Sequence, residues 1–155
     1  MKTTIKLLLA LPVLTLATLA IGCGKGVPKP ASPEVQGLVS QIVEDFYRDQ
    51  LAPYIYKQAT GIPIDVLGIE VDYAWLTKEA KTDESAKKVL GLVDEAMRKT
   101  AFIVENIRTD KVEKEVGKIY CNADLRVGDQ SSTISFTAQY TDGGDLYVEV
   151  FGLAE

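Results

Sequence analysis

Apolar and polar residues alternate along residues 118–127. Ile119, Cys121, Ala123, Leu125 and Val127 fall on one side, and Lys118, Tyr120, Asn122, Asp124 and Arg126 on the other. A period of two marks a strand with one face buried. The same alternation returns at Ile134, Phe136, Ala138 and Tyr140 against Ser135, Thr137 and Gln139. Asp142-Gly143-Gly144 follows, a hairpin signal because glycine tolerates positive φ. Leu146, Val148 and Val150 then line a last strand whose other face carries Tyr147, Glu149 and Phe151. Tyr147 and Phe151 read as an exposed aromatic pair that steadies cross-strand packing. Residues 102–108 predict a further strand, and the charged, turn-rich residues 109–117 its connection to the next. Together these segments predict an antiparallel meander.

Helical spacing appears earlier in the chain. Ser32-Pro33-Glu34 has the form of a helix start: a hydroxyl to cap, a proline at the first helical position, and an acid near the positive end. Val35, Leu38, Val39, Ile42, Val43, Phe46 and Tyr47 then form an apolar stripe, with Glu44, Asp45, Arg48 and Asp49 mostly opposite. Pro53 is expected to end or kink this helix near Ala52. A second helix is expected to open at Thr82, with Asp83 and Glu84 in its first turn and Ala86, Val89, Leu90, Val93 and Met97 as its apolar face. Gly91 weakens it by about 1 kcal/mol relative to alanine. Residues 67–75 show a passable period of two and predict a strand, although residues 74–80 also suit a helix. The fold class expected is α+β, two helices packed on one face of a curled antiparallel sheet. A cystatin-like arrangement is the nearest architecture, a likeness that carries no function.

The N-terminus reads as an address rather than as part of the fold. Lys2 and Lys6 precede an apolar run from Leu7 to Leu19, interrupted by Pro12, Thr15 and Thr18, and no acid appears before Glu34. This is the form of a secretory signal peptide, shorter than the ~20 apolar residues of a membrane span. Leu19-Ala20-Ile21-Gly22-Cys23 resembles the lipobox of bacterial lipoprotein precursors, although Ala20 stands where that family usually has leucine. The resemblance implies cleavage before Cys23 and acylation of Cys23, so that the chain is anchored to a membrane through acyl chains. Cleavage after Ala20 is the alternative, with Thr18 and Ala20 as the small residues. Gly24 follows the cysteine instead of the aspartate that marks inner-membrane retention in that family, which favours the periplasmic side of the outer membrane. Residues 1–22 are thus a lipoprotein signal peptide, residues 23–31 a lipidated cysteine and flexible tether, and residues 32–155 a single domain. The stretch from Ile107 to Leu153, with Gly117-Lys118-Ile119-Tyr120-Cys121-Asn122-Ala123, is also similar to small envelope lipoproteins of unknown function.

Composition narrows the chemistry. The 155 residues include no histidine, which removes imidazole bases and histidine-liganded metals. Loss of residues 1–22 takes Lys2 and Lys6, and no acid, from 17 cations and 22 acids, so the mature chain carries 15 − 22 = −7. An acidic domain is repelled by an anionic bilayer and has no basic face for nucleic acid. Cys23 and Cys121 lack metal-ligand spacing, and Cys121 lies on an alternating apolar face, which predicts a core thiol. Asp142 and Asp145 lack the other positions of a calcium loop. No catalytic residue, metal or cofactor is expected. Tyr54, Tyr56, Tyr73 and Trp75 form the candidate interaction patch, since Tyr and Trp are enriched at binding hot spots. The function expected is that of a non-enzymatic envelope lipoprotein that binds an envelope protein. The alternatives are a small-ligand binder, with a pocket between helix and sheet, and a cell-wall hydrolase using Glu44, Asp45 and Asp49 or Glu70 and Asp72.

Overall fold

A computed structural model describes residues 26–153. The expected signal peptide and Cys23 lie outside the described residues. The order of elements is α1 (Pro33–Thr60), α2 (Tyr73–Glu79), α3 (Glu84–Lys99), β1 (Phe102–Glu113), β2 (Lys118–Val127), β3 (Gln130–Tyr140) and β4 (Leu146–Phe151). The strands form one open antiparallel sheet in chain order, β1-β2-β3-β4. The fold is α+β, as the patterning predicts.

The alternation on β2 and β3 becomes the inner face of the sheet. Ile119, Cys121, Ala123, Leu125, Ile134, Phe136 and Ala138 are buried there against Val35, Val39 and Val43 of α1. The three valines sit four residues apart on one face of the helix, which is why a single helix suffices to cover them. The α1 backbone approaches the two edge strands, β1 and β4, more closely than the central pair, so the sheet curls around the helix. Among the described helices, only α1 makes extensive contact with the sheet. α3 packs on α1 and α2 instead, which corrects the expectation of two helices on one sheet face.

The reason is the length of α1. Its 28 residues span about 42 Å, more than the sheet needs, so its C-terminal half projects beyond the strands. Ala52 in that half is buried with Val71, Leu76, Ala86, Val89, Val93 and Met97 in a second core. Tyr47 and Phe102 pack against both cores and join them.

Pro53 does not end the helix, which runs through it to Thr60. Leu51, Ala52, Ile55 and Tyr56 on either side of the proline all pack in the second core, and that burial offsets the lost backbone hydrogen bond. The helix stops at Gly61, whose φ of 72° lets its N–H donate to the Lys57 carbonyl at 2.9 Å.

The strand expected over residues 67–75 is absent. Gly68 turns the chain at φ 62°, and Asp72 caps α2 by accepting from the Trp75 N–H at 2.6 Å. Of its alternating apolar residues, Leu67, Val71, Tyr73 and Trp75 pack in the helical core, while Ile69 is 45% exposed. α3 begins at Glu84 with Asp83 as its cap, two residues after the expected opening.

β1 is longer than expected. It runs on to Glu113 because Thr109, Lys111, Val112 and Glu113 pair with Cys121, Tyr120, Ile119 and Lys118. The charges that suggested a loop are satisfied along this strand and across the ladder. Asn122 donates to Asp110, Lys111 pairs with Glu113, and the Tyr120 hydroxyl donates to Glu113. The second half of the expected tether is also packed. Val27 touches the first core, Pro28 is buried, and the Ser32 N–H donates to the Lys29 carbonyl at 3.0 Å.

Candidate functional site

Where α1, α3 and the start of β1 meet, a cleft of about 580 Å³ is lined by Glu44, Arg48, Asp94, Met97, Arg98 and Phe102 among others. The helical geometry of α1 puts Glu44 and Arg48 one turn apart on the side facing α3. The Arg48 guanidinium pairs with Asp45 at 2.6 Å and lies 5.0 Å from the centre of the Tyr73 ring. Its Nε is buried without a hydrogen-bond partner. The Tyr73 hydroxyl donates to Asp94 at 2.7 Å. Burial and the Asp94 carboxylate, in that order, raise the Tyr73 pKa above its ordinary value. The cleft therefore presents two guanidinium groups and two carboxylates over an apolar floor of Met97 and Phe102.

The four aromatic residues of the sequence-predicted patch do not meet at one place. Tyr56 and Trp75 stack edge to face at 5.6 Å and pack against the second core. Tyr73 packs there too, beside Arg48 and Asp94. Tyr54, two residues from Tyr56 and hence on the other side of α1, is 61% exposed. Three of the four thus contribute to the fold. No protein-family model, curated protein or solved structure matches this chain.

The outer face of the sheet divides into two parts. Over β1 and β2 it is laced with charge. Asp124 accepts from Arg108 and Asn106, and Lys111 and Lys118 lie over the Tyr120 ring. The Arg108 guanidinium, then the Asn106 amide, hold the Asp124 carboxyl below its ordinary pKa. Over β4 the same face is aromatic, with Tyr147 and Phe151 46% and 49% exposed. Their partners on β3 are Gln139 and Ser135, so neither stacks on an aromatic residue across that ladder.

Several acids considered for catalysis have structural partners. Asp45 pairs with Arg48, Asp49 accepts from the Tyr73 N–H at 3.2 Å, and Asp72 caps α2. Asp145 and Thr141 close the β3–β4 turn through their backbone. Among the described residues, no cluster of three or more His, Cys, Asp or Glu side chains is arranged to hold a metal. Cys121 is a free thiol, 1% exposed on the inner face, and burial pushes its pKa up. None of the described helices is long and apolar enough to cross a membrane.

Proposed function

We propose that this chain is a lipid-anchored module of the bacterial cell envelope, on the periplasmic side of the outer membrane, that binds a protein partner without catalysis. The observation that carries the binding role is the open side of β4, where Tyr147 and Phe151 are about half exposed beside an edge that pairs with no further strand among the described residues. Strand edges offer unpaired N–H and C=O groups, and flanking aromatic side chains add apolar area on desolvation. The anchor is supported by the lipobox-like Leu19–Cys23 segment. With Val27 and Pro28 already packed on the domain, few residues separate Cys23 from the first core, so the domain stands close to the bilayer.

The test is the intact mass of the protein extracted from its own membranes, beside a Cys23→Ala variant. A mass matching residues 23–155 plus acyl chains, lost in the variant, is the expected result. A mass beginning at Ile21 with no lipid refutes the anchor. For the binding role, a photo-crosslinking residue placed at Tyr147 is expected to capture a protein in intact cells, and capture of lipid alone refutes it.

A second reading is favoured by the cleft at Arg48. Paired guanidinium and carboxylate groups over Met97 and Phe102 suit a small ligand carrying both charges, such as an amino acid or short peptide. Thermal stabilisation by such compounds that disappears in Arg48→Met supports this reading. Equal shifts in the two chains rule it out.

A further inference from the structure

We infer that the partner at β4 is a second copy of this chain, joined strand to strand about a two-fold axis at Glu149. The inference rests on the reading of β4 as the interaction surface and names its occupant.

The two edges of the sheet are built differently. β1 breaks register with β2 twice, between Glu105 and Arg108 and between Thr109 and Lys111, and Asn106 sits at φ 52° in the first break. Such bulges, with the charges of Glu105, Arg108, Asp110, Lys111 and Glu113, are the devices by which proteins prevent edge pairing. β4 has none of them. It keeps unbroken register with β3 from Leu146 to Phe151 and contains no lysine, arginine or proline. Its one charge is Glu149, and that carboxylate is turned away from the open edge. It accepts from Thr137 of β3 at 3.3 Å and pairs with Lys118 of β2 at 3.6 Å, while the Tyr147 hydroxyl donates to it at 3.0 Å.

The sequence of β4 is complementary to itself. Residues opposite one another in an antiparallel pair point to the same face, so a self-pairing must be centred on a residue. Centred on Glu149, it sets Tyr147 opposite Phe151 of the second copy, and Phe151 opposite Tyr147. Each exposed ring then gains the aromatic neighbour that Gln139 and Ser135 do not provide. On the inner face Val148 meets Val150 of the second copy, so the apolar layer continues. A shift of the centre to Val148 would set Tyr147 against Glu149 and leave Phe151 beyond the paired strands. One residue of slip would mix the two faces. The two Glu149 residues meet at the axis, and each carboxylate is held away from it by Thr137 and Lys118 of its own copy.

One pair of six-residue strands is smaller than the ~1,200 Å² low end of stable interfaces. Confinement of both copies to one membrane surface raises their effective concentration and compensates. The experiment is therefore done on the full chain in its membranes, by oxidative cross-linking read on a non-reducing gel. Glu149→Cys is expected to give a band at twice the mass. Tyr147→Cys and Phe151→Cys are each expected to give none alone and to give it when combined in one chain. Val112→Cys on β1 and the unaltered chain, whose Cys121 is buried, are expected to give none. The double variant leaves the Glu149–Lys118 pair intact, so a folding defect in Glu149→Cys would not hide the result. Absence of the band from both Glu149→Cys and the double variant overturns the inference. If the Tyr147 photo-probe then captures a different protein, β4 binds a partner that is not itself. If it captures none, the reading of β4 falls as well.

Discussion

Tyr73 connects α2 to both other helices through one side chain. Its ring lies under Arg48 of α1, and its hydroxyl donates to Asp94 of α3. Removing the hydroxyl leaves Asp94 without that donor, so Tyr73→Phe is expected to cost about 1–2 kcal/mol at neutral pH, measured by urea denaturation. The pH dependence follows from the raised pKa. The unfolded phenol ionises near its ordinary value while the folded one still holds its proton. Stability from this group is therefore complete below the ordinary value and is lost as pH rises through the raised one. Wild type is expected to lose stability more steeply than Tyr73→Phe above about pH 10; parallel curves would contradict this. At Cys121 the expectation is kinetic. The thiol is buried with its pKa pushed up, so it should resist a thiol reagent in the native protein and react fully in denaturant. Rapid native labelling would place it at the surface. Cys121 was legible in the sequence, because alternation alone assigns it to the inner face. Arg48 was not, since in the α1 pattern it falls on the polar side, and its placement depends on α2 folding back beneath it.

At the scale of elements, local signals placed the start of α1, opened α3 two residues early and missed α2, although each start carries a local cap. Ser32, Asp72 and Asp83 each cap a helix through side-chain oxygens, an interaction that spans two or three residues and is written locally. Whether α1 survives Pro53 depends on what its C-terminal half packs against, which is not local. α3 carries a stability reserve at Gly91. It sits in the helix interior, is exposed, and a methyl group there meets no atom within 4 Å. Gly91→Ala is thus expected to raise stability by about 0.5–1 kcal/mol in denaturant titration. A loss would mean that the wall of the Arg48 cleft is closer than the backbone implies. β1 illustrates the opposite error. Residues 109–113 read as a loop by their charge, and only the presence of β2 beside them, with Asn122 and Tyr120 to engage those charges, makes them strand.

At the scale of the molecule, the joint between the two cores is Tyr47 and Phe102, whose rings lie 5.5 Å apart. If this joint makes the domain one cooperative unit, thermal unfolding should be the same by two probes. Trp75, the chain's one tryptophan, reports the helical core, and far-ultraviolet circular dichroism reports the sheet as well. Coincident curves are expected for the wild type. Phe102→Ala is expected to cost about 2–4 kcal/mol and to separate the two transitions. If they remain coincident, Tyr47 and the α1 backbone suffice to couple the two cores.

The sequence by itself determined the α+β class, β2 and β4 nearly to their ends, the capped start of α1 and the inward face of Cys121. All of these follow from periods of two and 3.6 residues and from caps, which act between near neighbours in the chain. The tertiary structure alone decided that α3 packs on α1 rather than on the sheet, that residues 67–75 dock as turn and helix, and that Tyr56, Tyr73 and Trp75 pack in the second core while Tyr54 faces solvent. It also decided that the two strand edges differ, with β1 bulged and charged and β4 regular and aromatic. Those outcomes depend on which surfaces are already covered when a segment arrives. Coverage is a property of the packed chain, and no local pattern encodes it.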